Sequence, residues 1–370
     1  IDNPLSPSLE QQSSTQLNVP ATPTWNWFWK LRVLGQGVND ETEQSRVAGV
    51  NVIAGLKQEF SDYLGVNVAA LARYETGSPH ALYEINRVDN GVLLDEAVVE
   101  VRPFREYVAI AAGAVNQRYL SNPLLIDEVS FPGVMEKLTW SRHDFSAGLI
   151  LQQAIPTSTS LSTLTSENEP LPSYFTETLA VSWNPDSDSL RGTILQGRLS
   201  HFQFRDLPSQ VALGSFSHGN LVNADVPQDS RFEHPFNGFA AGGDVHFRAH
   251  RLFTVKTGAD YFENQAAPSG FGAGLLAFVE SNIDVGSDWT LVPRAEYFRN
   301  ERHSSPAYYN SADYGHNNRH GFSYEASLLN ERQGLKFKGK YTDGALIEDD
   351  PIQVNTKIFM LYLEMFDVAG

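Results

Sequence analysis

From Trp25 onward, apolar and polar residues alternate with a period of two, in runs of about 10 to 14 residues. That is the length a tilted strand needs to cross a bilayer. The first run shows it best: Trp25, Trp27, Trp29, Leu31 and Val33 share one face, while Asn26, Lys30 and Arg32 share the other. Successive side chains of a strand point to opposite sides, so this segment has one apolar and one polar surface. Three alternate tryptophans near a strand's start suit an interfacial aromatic girdle better than a sandwich core.

Followed to the end, the alternation predicts about sixteen strands. They lie near 24-36, 47-61, 64-75, 92-104, 106-119, 133-143, 145-156, 174-184, 190-204, 238-249, 251-263, 270-283, 288-300, 320-330, 333-343 and 355-367. The connections alternate in length. Short turns fall at 61-63, 105, 144, 184-189, 250, 284-287 and 331-332. Long loops fall near 37-46, 76-91, 120-132, 157-173, 205-237, 264-269, 301-319 and 344-354. Greek-key sandwiches have no reason to alternate in this way, whereas outer-membrane barrels do, with the short turns on the periplasmic side. The expected fold class is therefore all-β: a transmembrane antiparallel β-barrel of the bacterial outer membrane over 24-370. Residues 1-23, rich in Pro, Ser and Gln, are expected to form a flexible tail, periplasmic or inserted in the lumen.

Composition supports this reading. No apolar run of 18 residues exists, so a helical span is excluded. The chain has no Cys, against 22 Phe, 14 Tyr, 6 Trp and 28 Gly, which excludes disulfides and favours strands and turns. A net charge of −17 argues against a nucleic-acid partner. The opening Ile1-Asp2-Asn3-Pro4, with neither signal peptide nor initiator Met, is expected of a mature secreted product.

With the polar face of each strand turned inward, the lumen receives Lys30, Arg32, Arg73, Arg102, Arg118, Arg198, Arg248, Arg294, Lys336, Lys338 and Lys340 as pore-lining bases, together with Lys57, Lys137 and Lys256. The acids expected beside them are Glu59, Glu96, Glu100, Asp244, Asp260, Glu280, Glu296 and Glu325, which is fewer. The lipid face of the last strand carries Phe359, Leu361, Leu363 and Met365. Two readings of the basic interior stand side by side: cross-strand charge pairing in a wet lumen, or fixed positive charge that eases anion passage. The remaining negative charge falls in loops, among them Asp40, Glu41, Glu43, Glu167, Glu169, Glu348, Asp349 and Asp350. Such loops are either solvated or bridged to lipopolysaccharide through divalent cations.

Sixteen strands, about 350 residues beyond the tail, and a third long loop containing Asp127-Glu128-Val129-Ser130-Phe131-Pro132-Gly133 together resemble the general bacterial porins, over residues 24-367. The resemblance implies that the third loop folds into the barrel as a constriction, with Asp127 and Glu128 facing Arg73, Arg102 and Arg118. It also implies a homotrimer in contact with outer-membrane lipid and lipopolysaccharide. The small residues from Val108 to Val115 suit either a loop packed inside or a neighbouring subunit outside. The fifth loop, 205-237, is longer and is an equally good plug or lid. The end also departs from the family, because aromatic Phe366 is followed by Asp367-Val368-Ala369-Gly370.

The expected function is a channel for small polar, preferentially anionic solutes. The alternatives are an export barrel for an anionic polymer, with a periplasmic partner docked on 1-23, and a plugged structural or adhesive barrel. An outer-membrane lipid hydrolase is the enzymatic alternative, but no nucleophile motif is present. Ser200 and His201 are adjacent in one strand and so face apart. No cofactor is expected. His316 and His320 have metal-like spacing only in a helix, which their Asn and Gly neighbours oppose, so they and His303 read as surface-loop histidines.

Overall fold

A computed structural model describes residues 24–367 apart from 41–42, 79–89, 106, 118–121, 128, 159–160, 162–163, 167, 186–191, 224–228 and 251. The tail, Arg118 and Glu128 lie outside the described residues. The strands, in chain order, are β1 (Thr24–Asp40), β2 (Gln44–Ser61), β3 (Leu64–Ser78), β4 (Gly91–Val101), β5 (Val108–Asn116), β6 (Ser130–Arg142), β7 (Phe145–Ala154), β8 (Ser173–Trp183) and β9 (Ile194–Arg205). After a short helix, α1 (Ser209–Phe216), and a small ribbon of β10 (Val222–Asn223) and β11 (Arg231–Phe232), the wall resumes. It continues with β12 (Phe236–His250), β13 (Phe253–Asn264), β14 (Ala273–Gly286), β15 (Trp289–Asn300), β16 (Arg319–Asn330), β17 (Leu335–Leu346) and β18 (Thr356–Phe366).

All wall strands pair antiparallel with their neighbours, and β1 pairs with β18 from Lys30↔Phe366 to Asp40↔Thr356, closing the sheet. Closure matters because an open edge in hydrocarbon would leave a row of backbone groups unpaired. The barrel, its all-β class and its alternating connections agree with the sequence reading. We number the connections on the side opposite the short turns L1 (41–43), L2 (79–90), L3 (117–129), L4 (155–172), L5 (206–235), L6 (265–272), L7 (301–318) and L8 (347–355).

Several boundaries differ from expectation. β1 and β2 stay paired up to Asn39↔Gln44, so the first loop is a tight connection and not a ten-residue excursion. The ladder thus continues beyond the length a bilayer requires. β4 ends at Val101 and β5 at Asn116, shorter than the alternation suggested. Arg105 has φ 48° in the turn that follows β4, a backbone that no strand can hold.

The outward face is predominantly apolar. Val33, Val50, Val68, Leu138, Leu179, Leu199, Val279, Phe337, Phe359 and Leu361 are all exposed. A soluble protein cannot present such a belt to water, and lipid is the solvent that accepts it. Trp27 and Trp140 are exposed towards the strand ends, where amphipathic rings sit at the lipid–water boundary. The closed wall with its apolar outside is that of a transmembrane β-barrel. Leu361→Arg places a charge in this belt, and its expected cost is about 2 to 4 kcal/mol if the position is near the midplane. Reversible denaturant unfolding from lipid vesicles measures it; a loss under about 0.5 kcal/mol would place Leu361 away from lipid.

Candidate functional site: a loop-filled lumen with a charged slot

The inward face divides into two zones. Towards the turns it is charged. Cross-strand neighbours run Lys256, Glu280, Arg294, Glu325, Lys340 around five successive strands, alternating in sign. Opposite charges on adjacent strands attract, and the low-dielectric wall behind them strengthens that attraction. Arg294 bonds Glu280 at 3.0 Å and Glu296 at 2.6 Å, and its guanidinium stacks on Phe278. Lys338 meets Glu325 at 2.7 Å, Lys256 meets Asp244 at 3.5 Å, and Arg198 meets Asp260 at 2.6 Å. The last pair spans a strand between them, because β12 contributes Gly242 at the crossing point. Any Cβ there would overlap the Asp260 carboxylate.

Towards the loops the inward face is aromatic. Tyr174, Phe202, Phe204, Phe236, Phe262 and Phe298 are buried, with Phe131 and Leu276, in one cluster. Rings on the inner wall of an empty barrel would face water, and covering each is worth about 1.5 to 3 kcal/mol. L3 covers them with Leu124, Leu125 and Ile126, and L7 with Tyr309 and Tyr314. Tyr309 meets Phe131 edge-on at 5.1 Å and stacks with Phe204 at 6.2 Å. From L5, Val211 of α1 joins the same cluster.

L7 is held by asparagines. The Asn317 side-chain amide donates to the Ser305 and Arg302 carbonyls, and its oxygen accepts from Asn300 and Asn310. Asn220 of L5 donates to the same two carbonyls and accepts from the Ala307 N–H. L3 is tied to L7 by the Asp127 N–H donating to the Tyr309 carbonyl and the Ser311 N–H to the Pro123 carbonyl. The short helical turn Ala312–Tyr314 then meets the wall. The Tyr314 hydroxyl donates to Glu296 at 2.8 Å, and Lys340 lies 3.3 Å from Asp313 and over the Tyr314 ring. Burial and the neighbouring Glu296 carboxylate both push the Tyr314 hydroxyl well above its ordinary value, so it stays a donor.

Opposite this packing a slot remains, a cavity of about 140 Å3 that opens to solvent. Its wall side is Arg32, Gln36, Asn51, Arg73, Glu75 and Tyr362. Its loop side is Asp127 and Val129 of L3 with residues 308–313 and His316 of L7. Beside it Lys30 and Arg32 approach Glu364 at 3.3 and 2.6 Å, and Lys336 stands across the ladder from the same carboxylate.

The sequence-predicted residues therefore distribute as follows. Arg32, Arg73 and Asp127 come together across the slot. Lys30 and Lys336 lie beside it, while Arg198, Arg294, Lys338 and Lys340 are engaged in the ion pairs above. Arg102 does not face Asp127. Its N–H donates to the Tyr63 carbonyl at the β2–β3 turn, and its side chain binds Glu59 at 2.7 Å and also Glu100, because β4 ends one residue earlier. Arg248 is exposed near the turn end of β12. The inventory of acids was incomplete: Glu75, Glu364 and the loop-borne Asp313 also face the bases. L8 acids are not simply solvated, since Arg302 binds Glu348 and Asp350 at 2.9 and 2.8 Å.

His316 and His320 do not form a metal pair. His316 stacks on His218 and bonds Asn310, whereas His320 sits in β16 between Arg299 and Ala345. His303 and His316 are buried and not surface histidines. Ser200 bonds Thr178 inside the barrel, and His201 bonds Asn237 among outward-facing rings, so the two partner separately.

No family model matches the sequence, and no curated protein matches it either. Solved structures do match. The Pseudomonas putida OprB structure superposes with a TM-score of 0.58 at 10% identity, covering 93% of this chain and 94% of that one. A loop-deletion mutant of OmpT, an outer-membrane protein of Vibrio cholerae, gives 0.52 at 10% identity, over 93% and 99% of the two chains. Pseudomonas aeruginosa OccK2 (OpdF) in complex with glucuronate gives 0.50 at 10% identity, over 92% and 97%. The fold is that of the outer-membrane porins. Such a likeness fixes the architecture, and the contents of the lumen are this chain's own.

L4 and L5 are joined by Glu169, which accepts from Arg231, from the Ser166 N–H and from the Ser209 N–H at the start of α1. Burial raises this carboxyl, but the hydrogen bonds outweigh it and hold it down at about 2, below its ordinary 4.5. Its folded value being the lower, the clamp is fully present above pH 4.5 and is lost as pH falls through about 2. Pepsin should therefore spare 206–235 at pH 4 and cut it near pH 2, and Glu169→Gln should be cut already at pH 4. Equal cleavage of both proteins at pH 4 would remove the clamp from the account.

Proposed function

We propose that this barrel is a restricted channel passing small polar solutes, with carboxylate-bearing ones favoured. The observation that carries this reading is the convergence of Lys30, Arg32 and Lys336 on one carboxylate, Glu364, beside the slot. Three cations around one anion leave positive charge over, and fixed positive charge lowers the cost of bringing an anion into a narrow, low-dielectric passage. At the slot itself Arg32 and Arg73 stand across from Asp127 and Asp313. Opposed charges orient a dipolar solute and give an apolar one no compensation for losing water. The glucuronate bound by OccK2 (OpdF) is a sugar carboxylate, the same chemistry as the favoured solutes here.

A second reading has its own support: L3 and L7 bury aromatic rings across most of the loop-side lumen, which describes a barrel closed until those loops withdraw. Single-channel recording in planar bilayers separates the two. The open reading expects steady small steps in KCl with a reversal potential on the anion side. Lys30→Glu with Lys336→Glu should move it towards cations; an unchanged reversal potential would refute the anion preference. Steps that occur only after deletion of 301–318 would select the closed barrel.

A further inference from the structure

We propose that Glu233, His234 and His303 form a site for a divalent transition metal of the zinc class, stapling L5 to L7. Each residue offers one ligand atom, and these atoms all lie within 4.8 Å of one another. His303 Nε2 is 4.0 Å from Glu233 Oε2, and the rings of His234 and His303 meet edge-on with centroids 4.8 Å apart. The three come from two loops: Glu233 and His234 directly follow β11 in L5, and His303 lies near the start of L7.

His303 is placed by its backbone. Its N–H donates to the Phe271 carbonyl of L6 at 2.7 Å, and its carbonyl accepts from Asn264 Nδ2 at 2.8 Å. Its ring is 1% exposed, and Nδ1 has no hydrogen-bond partner. At 4.0 Å the Glu233 carboxylate is beyond hydrogen-bonding distance of Nε2. A buried imidazole left in that condition costs free energy that a Lewis acid on a ring nitrogen would relieve. The adjacent Arg302 does not repel an incoming cation strongly, because Glu348 and Asp350 neutralise it.

Two imidazole nitrogens and one carboxylate oxygen, with a fourth position open to water, form a donor set that suits zinc. Calcium and magnesium require more oxygen ligands than are present. Tetrahedral zinc at about 2.0 to 2.1 Å places its ligand atoms about 3.4 Å apart. Glu233 is 45% exposed, which leaves its side chain room to turn towards the two rings.

The test uses the full-length, untagged protein in detergent, stripped with chelator and dialysed against ZnCl2. One equivalent of zinc should be retained, with none retained from MgCl2 or CaCl2. His303→Ala and His234→Ala should lose it, and Glu233→Gln should weaken it by at least about tenfold. His316→Ala should keep it. Zinc should slow proteolysis of 206–235 in the wild type and not in His303→Ala. Heat-modifiable gel migration checks that each variant is folded. Glu233→Gln alters an exposed side chain, so it stays informative if a histidine variant fails to fold. Zinc retained equally by Glu233→Gln and the wild type, or no zinc retained by the wild type, overturns the proposal.

Discussion

Every other feature of this protein follows from one requirement: inside a bilayer no backbone N–H or C=O can be left without a partner. The β1–β18 ladder meets it by closing the sheet. Once the sheet is closed, lipid takes the outward face and most charged side chains must go inside or into the loops. The lumen is therefore crowded with charge before any question of transport arises. The alternating sequence Lys256, Glu280, Arg294, Glu325, Lys340 is how the wall tolerates that crowding, since each charge is flanked by its opposite across the ladder.

The upper lumen solves the opposite problem. There the inward positions are Phe and Tyr, and L3 and L7 are drawn in because they bring Leu124, Ile126, Tyr309 and Tyr314 to cover them. Pulling loops inward buries their backbone, which is costly unless each group is bonded. Asparagine suits that task because a single side chain donates and accepts at once. Asn220 and Asn317 share the Arg302 and Ser305 carbonyls, and so bind two loops through the same two acceptors.

Strand number, closure and the placing of short turns and long loops were legible in the sequence, because period-2 alternation reports directly which side chains meet lipid. Inward charge was legible by the same parity, down to Arg32 and Arg73. Ends of strands were not: Arg102 keeps the alternation of β4 yet lies in a turn, since alternation continues after pairing has stopped. Glu364 shares the inward face of the last strand, where the apolar residues opposite it dominate the pattern. L7 has the Asn, Ser, Gly and His composition of a surface loop, yet it fills the lumen. The overlooked signal lay in the wall: Phe202, Phe204 and Phe298 occupy the parity of Arg198 and Arg294, and rings on a wetted face require something to cover them. Which loop supplies the cover is a matter of tertiary geometry, which no local pattern encodes.

The filled lumen makes the barrel mechanically unequal around its circumference. From β6 to β15 the sheet is backed by loop residues packed like a protein interior, whereas around β1, β2 and β3 it borders the slot. At the seam the packing is local, chiefly Val38 with Ile358 and Met360. Sheet held mainly by its own hydrogen-bond ladder bends more readily than sheet with a core behind it. The slot is therefore bounded by a rigid bank carrying Asp127 and Asp313 and a compliant bank carrying Arg32 and Arg73, so its width is set by how far the arginine side can yield.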